Sequence, residues 1–439
     1  MHFNNFRSHF IKLMFIVLFL HCSAKGQRYL SPVLPLDFTQ LSARTLAMGG
    51  GMDFHSHPAL GNFGKGFKLH VDLDARSTSE TRSFPVIDMF DDVVTENVYA
   101  INRSLNYSLP WSLGIDATQW LKIPISLSLS QAPMWDFRYN YTEEVRASLG
   151  PGVYNRDPVA GYHIFRLSGL IQSTHLNMAV RPLSILGFGF SIESLTGGNL
   201  SQEIGVQVLQ SDEALAADST TMTQYDLAAE EAMRWSAGII FNPTGSVSIG
   251  ISMKSAVDIS FNTDGYVPVL DERTQLPGLV LADTTSSYSI SLPLEYGIGF
   301  TARLRNRIKT IASGNYTYTD WSNNDQVIVN GTSSDTSDFH YQPTWSIHLG
   351  VEHWILNKTP FRFGFMHSSS PLGDDFERTM ITLGTGRSFG HFTFDLAVAF
   401  ESSEYRYTDL FIPVGQAATD LEKVKESTLV VKSSLTYSF

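Results

Sequence analysis

The second half of the chain alternates apolar and polar residues with a period of two. Phe392, Phe394, Leu396, Val398 and Phe400 share one face; Thr393, Asp395, Ala397 and Ala399 share the other. Phe361, Phe363 and Phe365 alternate with Arg362 and Gly364, and Trp345, Ile347, Leu349 and Val351 with Ser346, His348, Gly350 and Glu352. The last strand places Leu429, Val431, Leu435, Tyr437 and Phe439 on one side, interrupted by Ser433. Thr428, Lys432, Ser434, Thr436 and Ser438 lie opposite, where Val430 is the apolar exception. Successive side chains of a strand point to opposite faces, so this pattern predicts strands with one apolar and one polar surface. Strands are expected at 233–242, 246–261, 291–304, 307–321, 342–354, 359–368, 378–388, 391–402 and 427–439, lengths that suit tilted membrane strands.

The connections alternate as well. Short turns (242–245, 305–306, 357–359, 388–390) alternate with long polar stretches (262–290, 322–341, 369–377, 403–426) that carry Asp271, Glu272, Asp374, Asp375 and Glu377. Outer-membrane barrels have this asymmetry, with short turns periplasmic and long loops outside. A chain ending on a strand that follows a long loop then finishes on the periplasmic side. Leu435, Tyr437 and the terminal Phe439 are read as its barrel-assembly signal, with the assembly machinery and outer-membrane lipid as implied partners.

Upstream the pattern is less regular. Strands are expected at 66–75, 97–109, 120–132, about 161–173, and 174–195 in one or two pieces. The insert 196–232 is polar, with a short helix expected over 226–233. The total is fourteen or fifteen, and the even-number preference of bacterial barrels selects fourteen. Residues 27–65 do not read as a wall strand, because 47–51 is glycine-rich and Pro32, Pro35 and Pro58 interrupt it. A segment that precedes the wall and cannot join it is expected as a plug in the lumen. The fold class is therefore an all-β transmembrane antiparallel barrel: 27–65 as plug, 66–439 as barrel.

Residues 1–26 read as a signal peptide: Arg7 and Lys12, the apolar run 13–20, and a cleavage site before Gln27. The single cysteine, Cys22, lies inside it, and bulky His21 makes a poor lipobox. The exported chain then has no thiol chemistry and no disulfide. Of 439 residues, 43% are hydrophobic and 17% charged, too apolar for a disordered chain. A net charge of −12, with no basic run, excludes nucleic acid as a partner.

Candidate chemistry is sparse. Glu352, Arg362, Asp395, Glu401 and Lys432 fall on polar faces of neighbouring strands and are expected to face the lumen. They either line a passage, with Arg362 suited to a carboxylate head group, or pair with one another. His55 and His57 flank Ser56 with Asp53 close by, but a turn before Pro58 explains the two histidines better than a metal site does. Trp111, Trp120, Trp135, Trp321, Trp345 and Trp354 lie near strand ends and read as interfacial girdle residues. The thirteen histidines include no local Ser/His/Asp grouping, so no catalysis, cofactor or metal is expected.

Three stretches resemble the FadL/TodX family of outer-membrane transporters for hydrophobic compounds. Residues 42–51 with His57, Pro58 and Ala59 are similar to its N-terminal hatch, through Arg44, Gly49, Gly50 and Gly51. Residues 235–255 and 292–297 resemble its middle hairpin and the strand after it. Residues 318–322, and 361–365 through Pro371, resemble its closing strands. The resemblance implies a monomeric fourteen-stranded barrel with a hatch in the lumen. It would take up long-chain fatty acids or other hydrocarbons, and some members release cargo sideways into the membrane. Two departures stand out: His57 occupies the position where Asn is usual, and the span from Gly51 to His57 is short. Glycine-rich starts also occur in PorV-like secretion-associated barrels, which bind a protein partner, and a general porin is the third alternative.

Overall fold

In the computed structural model of the chain, the alternation builds a closed wall. It describes residues 40–52, 57–61, 63, 66–90, 92–146, 159–208, 223–263, 266–270, 277–281, 286–321, 327–330, 333–336, 341–355, 359–407, 411 and 422–439. The signal peptide reading, His55, and most of 27–65 before Gln40 lie outside these residues. No helix among the described residues is long and apolar enough to cross a membrane.

The wall strands are β1 (Phe67–Ile87), β2 (Val93–Ser108 and Trp111–Asp116), β3 (Ile125–Asp136), β4 (Leu170–Leu183), β5 (Leu186–Gly197), β6 (Ala232–Thr244) and β7 (Val247–Lys254). They continue with β8 (Glu295–Arg303), β9 (Ile311–Thr319), β10 (Thr344–Ile355), β11 (Thr359–Ser368), β12 (Arg378–Phe389), β13 (Phe392–Tyr407) and β14 (Glu422–Ser438). The sheet contains fifteen hydrogen-bonded segments. Two of them are one strand, because both parts of β2 pair with β1 in the same register, Asp74 with Ser108 and Val71 with Trp111. Fifteen less one gives fourteen, all antiparallel. Closure is between β1 and β14, from Lys68 with Ser438 to Ser83 with Lys423. At that seam the Phe439 N–H donates to the Phe67 carbonyl at 3.0 Å, and the two rings pack at 5.0 Å. Closing the ladder satisfies the edges of the first and last strands, which lipid cannot do.

Outward positions such as Leu69, Val71, Phe188, Phe190, Ile249, Ile251, Phe361, Phe363, Phe400 and Leu435 stay exposed as an apolar belt. Most charged and hydroxyl side chains of the wall, among them Asp72, Asp74, Arg76, Glu193, Ser236, Arg362 and Lys432, point inward and are buried. Val430, the apolar exception of the last strand, also points inward, packed against Leu46 and Ala47 of the N-terminal segment.

Beyond the belt, many strands run on. Eight segments, among them Tyr139–Arg146, Val159–Ser168, Asn199–Val208 and Val257–Thr263, form a second sheet above the wall. It contradicts the helix expected over 226–233: Thr223–Ala229 pairs with the strands at 199–204 and 261–262, and Met233 already belongs to β6. Alanine-rich helix propensity is a weak local preference, and the ladder overrides it. The strand expected at 161–173 is divided at Gly169, its first part belonging to the upper sheet and its second to β4. Near 120 the chain forms a short helix, α1 (Thr118–Leu121), before β3 begins.

Candidate functional site

Gln40 to Met52 and His57 to Gly61 lie inside the wall. Ser42 starts a one-turn helix (Ala43–Ala47), its hydroxyl accepting from the Thr45 N–H at 3.3 Å as an N-cap. Leu41, Ala43, Leu46 and Ala47 pack on the inward-facing Met366, Met380, Ala397, Ala399 and Val430. Polar ties reach across the chain: the Ala43 N–H donates to Ser434 Oγ at 2.9 Å, and Lys432 Nζ donates to the Leu41 carbonyl at 2.8 Å. Gly49 and Gly50 then turn the backbone with positive φ, a conformation costly for other residues.

The segment continues in a track of wall glycines. A Cβ on Gly350 would overlap the Met48 backbone, one on Gly364 the Gly49 backbone, and one on Gly189 the Pro58 backbone. Gly350 and Gly364 stand opposite each other in the ladder, as do Gly189 and Gly238. Glycine is present here because two backbones approach too closely for any side chain.

His57 accounts for its own presence in place of Asn. Its Nδ1 accepts from the Ala59 N–H at 3.2 Å, as an Asn side-chain oxygen would in a turn, and its Nε2 then donates to the Ile251 carbonyl at 3.1 Å. Burial pushes its pKa down to about 4, with the Ile251 hydrogen bond acting the other way. The atoms described around it, on Gly238, Gly250, Met52 and Pro58, carry no charge. The folded state thus favours neutral His57. Its contribution is full above the free value of 6.5 and is lost as pH falls from there toward about 4. A spin label at Leu60→Cys is expected to gain mobility across that interval, and His57→Asn is expected to abolish the change while keeping the turn. An unchanged spectrum in the parent chain would refute this.

Three of the five predicted lumen residues meet. Arg362 Nε donates to Glu352 at 2.6 Å and its Nη1 to Asp395 at 2.7 Å; both ends of each pair are buried. Arg44 joins from the N-terminal segment, 3.1 Å from Glu352, with its own side chain half exposed. Glu401 instead receives both ends of the Arg378 fork at 2.9 and 3.1 Å, and the fully buried Lys432 sits 3.4 Å from Asp74. Arg362 is thus engaged by two carboxylates. Asp72, Asp74, Glu193 and Arg234 also face inward, and none of them is among the five residues expected there; for Asp72 and Asp74 the polar row of 70–82 carried the signal.

Above the segment lies a cavity of about 280 Å³. Its outer wall includes Met134, Leu292 and Trp321, members of a buried apolar cluster with Trp135, Phe137, Ile171, Leu195 and Phe261. Trp135 and Trp321, expected as girdle residues, are 1% and 8% exposed and belong to this interior cluster. For Trp135 the reason is local: beyond Gln131, β3 parts from β2 and turns inward while staying paired with β4. Asp136 pairs with inward-facing Arg76 at 2.8 Å, and the Tyr139 hydroxyl donates to inward-facing Glu80 at 3.1 Å. Trp120, by contrast, is exposed at the opposite end, as a girdle residue would be.

The departure opens a seam. Trp111–Asp116 pairs with β3, but Val93–Ser108 pairs only with β1 among the described residues. At the vertex Trp111 Nε1 donates to Gln131 at 3.0 Å, and Pro110 has no N–H to offer. Pro110, Trp111, Gln131 and Ala132 line the cavity, so it extends from the apolar cluster to the split in the wall. No group of three or more potential metal ligands occurs among the described residues.

The family model described as "Outer membrane protein transport protein (OMPP1/FadL/TodX)" matches residues 172–390. No curated protein matches the chain. Among solved structures, a Pseudomonas aeruginosa FadL homologue is similar with a TM-score of 0.60 at 13% identity, covering 89% of this chain and 96% of that one. The Pseudomonas putida toluene transporter TodX is similar with a TM-score of 0.57 at 13% identity, covering 92% and 99%. The Ralstonia pickettii toluene transporter TbuX gives 0.53 at 14%, covering 92% and 99%. At these identities the structural likeness shows the fold, while the family match covers β4 to β12. The chain belongs to the OMPP1/FadL/TodX family of outer-membrane transport proteins.

Proposed function

We propose that this barrel is a monomeric channel for passive uptake of hydrophobic small molecules, the class that includes long-chain fatty acids and hydrocarbons. The 27–65 region serves as a plug in the lumen, and the cargo leaves sideways between β2 and β3. The carrying observation is the cavity that touches both the apolar cluster and the wall seam, above a floor made by the seated segment. Burial of apolar surface contributes about 0.8 kcal/mol per methylene, so a long chain binds the cluster without specific polar contacts. Passage straight down would take it past buried ion pairs and through the glycine track. Lateral exit returns it to lipid instead. A cleaved leader and assembly through the terminal Leu435–Tyr437–Phe439 pattern belong to the same reading.

Labelled dodecane is expected to enter proteoliposomes carrying the barrel saturably and faster than protein-free vesicles. Ala132→Trp, which fills the cavity beside the seam, is expected to slow it at least fivefold. Equal rates with and without the barrel would overturn the reading. Sugars are expected to give no porin-like swelling.

One observation favours the protein-partner alternative. The β1–β2 hairpin tip exposes Met89 at 85% and Phe90 at 76%, with Val93 and Val94 beside them. Outward-facing Ser77, Ser79 and Thr81 separate this patch from the apolar belt. A protein co-purifying with the barrel, and lost with Phe90→Ser, would support that reading.

A further inference from the structure

The polar half of the cavity narrows the cargo, given the channel reading above. Below the Met134–Leu292–Trp321 wall, the lining changes to hydroxyl and amide groups, including Ser128, Ser173, Ser236, Thr317 and Asn177. Asn177 is 4% exposed, and its amide oxygen has no hydrogen-bond partner. Ser128 stands directly opposite it in the β3–β4 ladder. Buried amides are nearly always satisfied, so an open one facing a cavity marks a place for a ligand or water hydroxyl.

Charge in the same chamber is balanced. Its acids are Asp72, Glu193 and Glu295; its bases, histidines aside, are Arg234, Lys254 and Arg378. Arg234 is bonded to Glu193, and Arg378 holds Glu401 with both ends of its fork. His70 lies 3.1 Å from Asp72. Lys254 faces Glu295 across the β7–β8 ladder. A carboxylate entering here would lose water, would meet as many acids as bases, and has no hydrogen to give the Asn177 oxygen. A neutral hydroxyl loses far less and gains the Asn177 amide.

From Ser128 to Met134 is six residues along β3, roughly 20 Å at strand rise. A long-chain molecule spans that distance with its apolar body outward and its head inward. We propose that the chamber selects long-chain amphiphiles with a neutral hydrogen-bond-donating head, an alcohol, over the corresponding free carboxylates, with Asn177 and Ser128 as the head-group site.

The test is binding of dodecan-1-ol, dodecanoate and dodecane to the full-length barrel in nanodiscs at pH 8, read by calorimetry. Dodecan-1-ol is expected to bind at least tenfold more tightly than dodecanoate. Asn177→Leu is expected to reduce dodecan-1-ol affinity about fivefold and leave dodecane unchanged. Dodecanoate binding as tightly as the alcohol would overturn the proposal, as would a carboxylate affinity that collapses in Lys254→Met. So would an Asn177→Leu variant that weakens alcohol and dodecane equally. The wild-type ranking decides the matter even if the variant fails to fold. Binding of dodecane with no preference for the alcohol sinks only this inference; binding of none of the three sinks the channel reading too.

Discussion

Arg362→Met is expected to destabilise the barrel by about 3–5 kcal/mol, read as a lowered denaturation midpoint in gel-shift unfolding. The variant leaves Glu352 and Asp395 buried and close together without the guanidinium that both accept from. Arg44 still reaches Glu352, but its half-exposed side chain is solvated and compensates little. The cost is therefore the burial of uncompensated charge, not the intrinsic worth of the pairs. Replacing all three together, Arg362→Met with Glu352→Gln and Asp395→Asn, is expected to recover most of the loss. A triple variant as unstable as the single one would show that packing, not charge, dominates there.

Gly364→Leu is expected to unseat the N-terminal segment while the wall still closes. The side chain would project into the lumen where the Gly49 backbone lies, and the segment cannot yield locally because Gly350 opposite carries Met48. Overpacking of this kind costs about 1–3 kcal/mol, comparable to the few hydrogen bonds tying the segment down. Planar-bilayer recordings are expected to change from near-silent to steady ion conductance, with the label at Leu60→Cys becoming mobile. Dodecane uptake should be little affected if cargo leaves through the wall. Unchanged conductance with an immobile label would mean that the segment tolerates the side chain, and the proposed plug would need another seat.

The wall was legible because lipid and lumen impose opposite demands on successive residues. That is why 359–368 and 378–389 emerge from alternation within a residue of their structural bounds. Legibility failed where strands leave the membrane. In 161–173 and 226–233 the chain continues as strand in water, one face no longer meets lipid, and the period weakens. Trp135 and Trp321 show the same limit: a tryptophan near a strand end reads as a girdle residue until β3 is seen to turn inward.

At the candidate site the division is sharper. By itself, the order of residues determined the strand faces, the position of the terminal Phe439, the polarity of Glu352, Arg362, Asp395, Glu401 and Lys432, and the glycine-rich character of 47–51. These are properties of one strand in one environment. Only the tertiary structure decided that Arg362 serves two carboxylates, that the inward glycines form a track for a second backbone, that Val430 faces a helix, and that Asn177 is left open to a cavity. Each depends on which strands are neighbours around a closed ring, and pairings between residues hundreds of positions apart leave no local period to read.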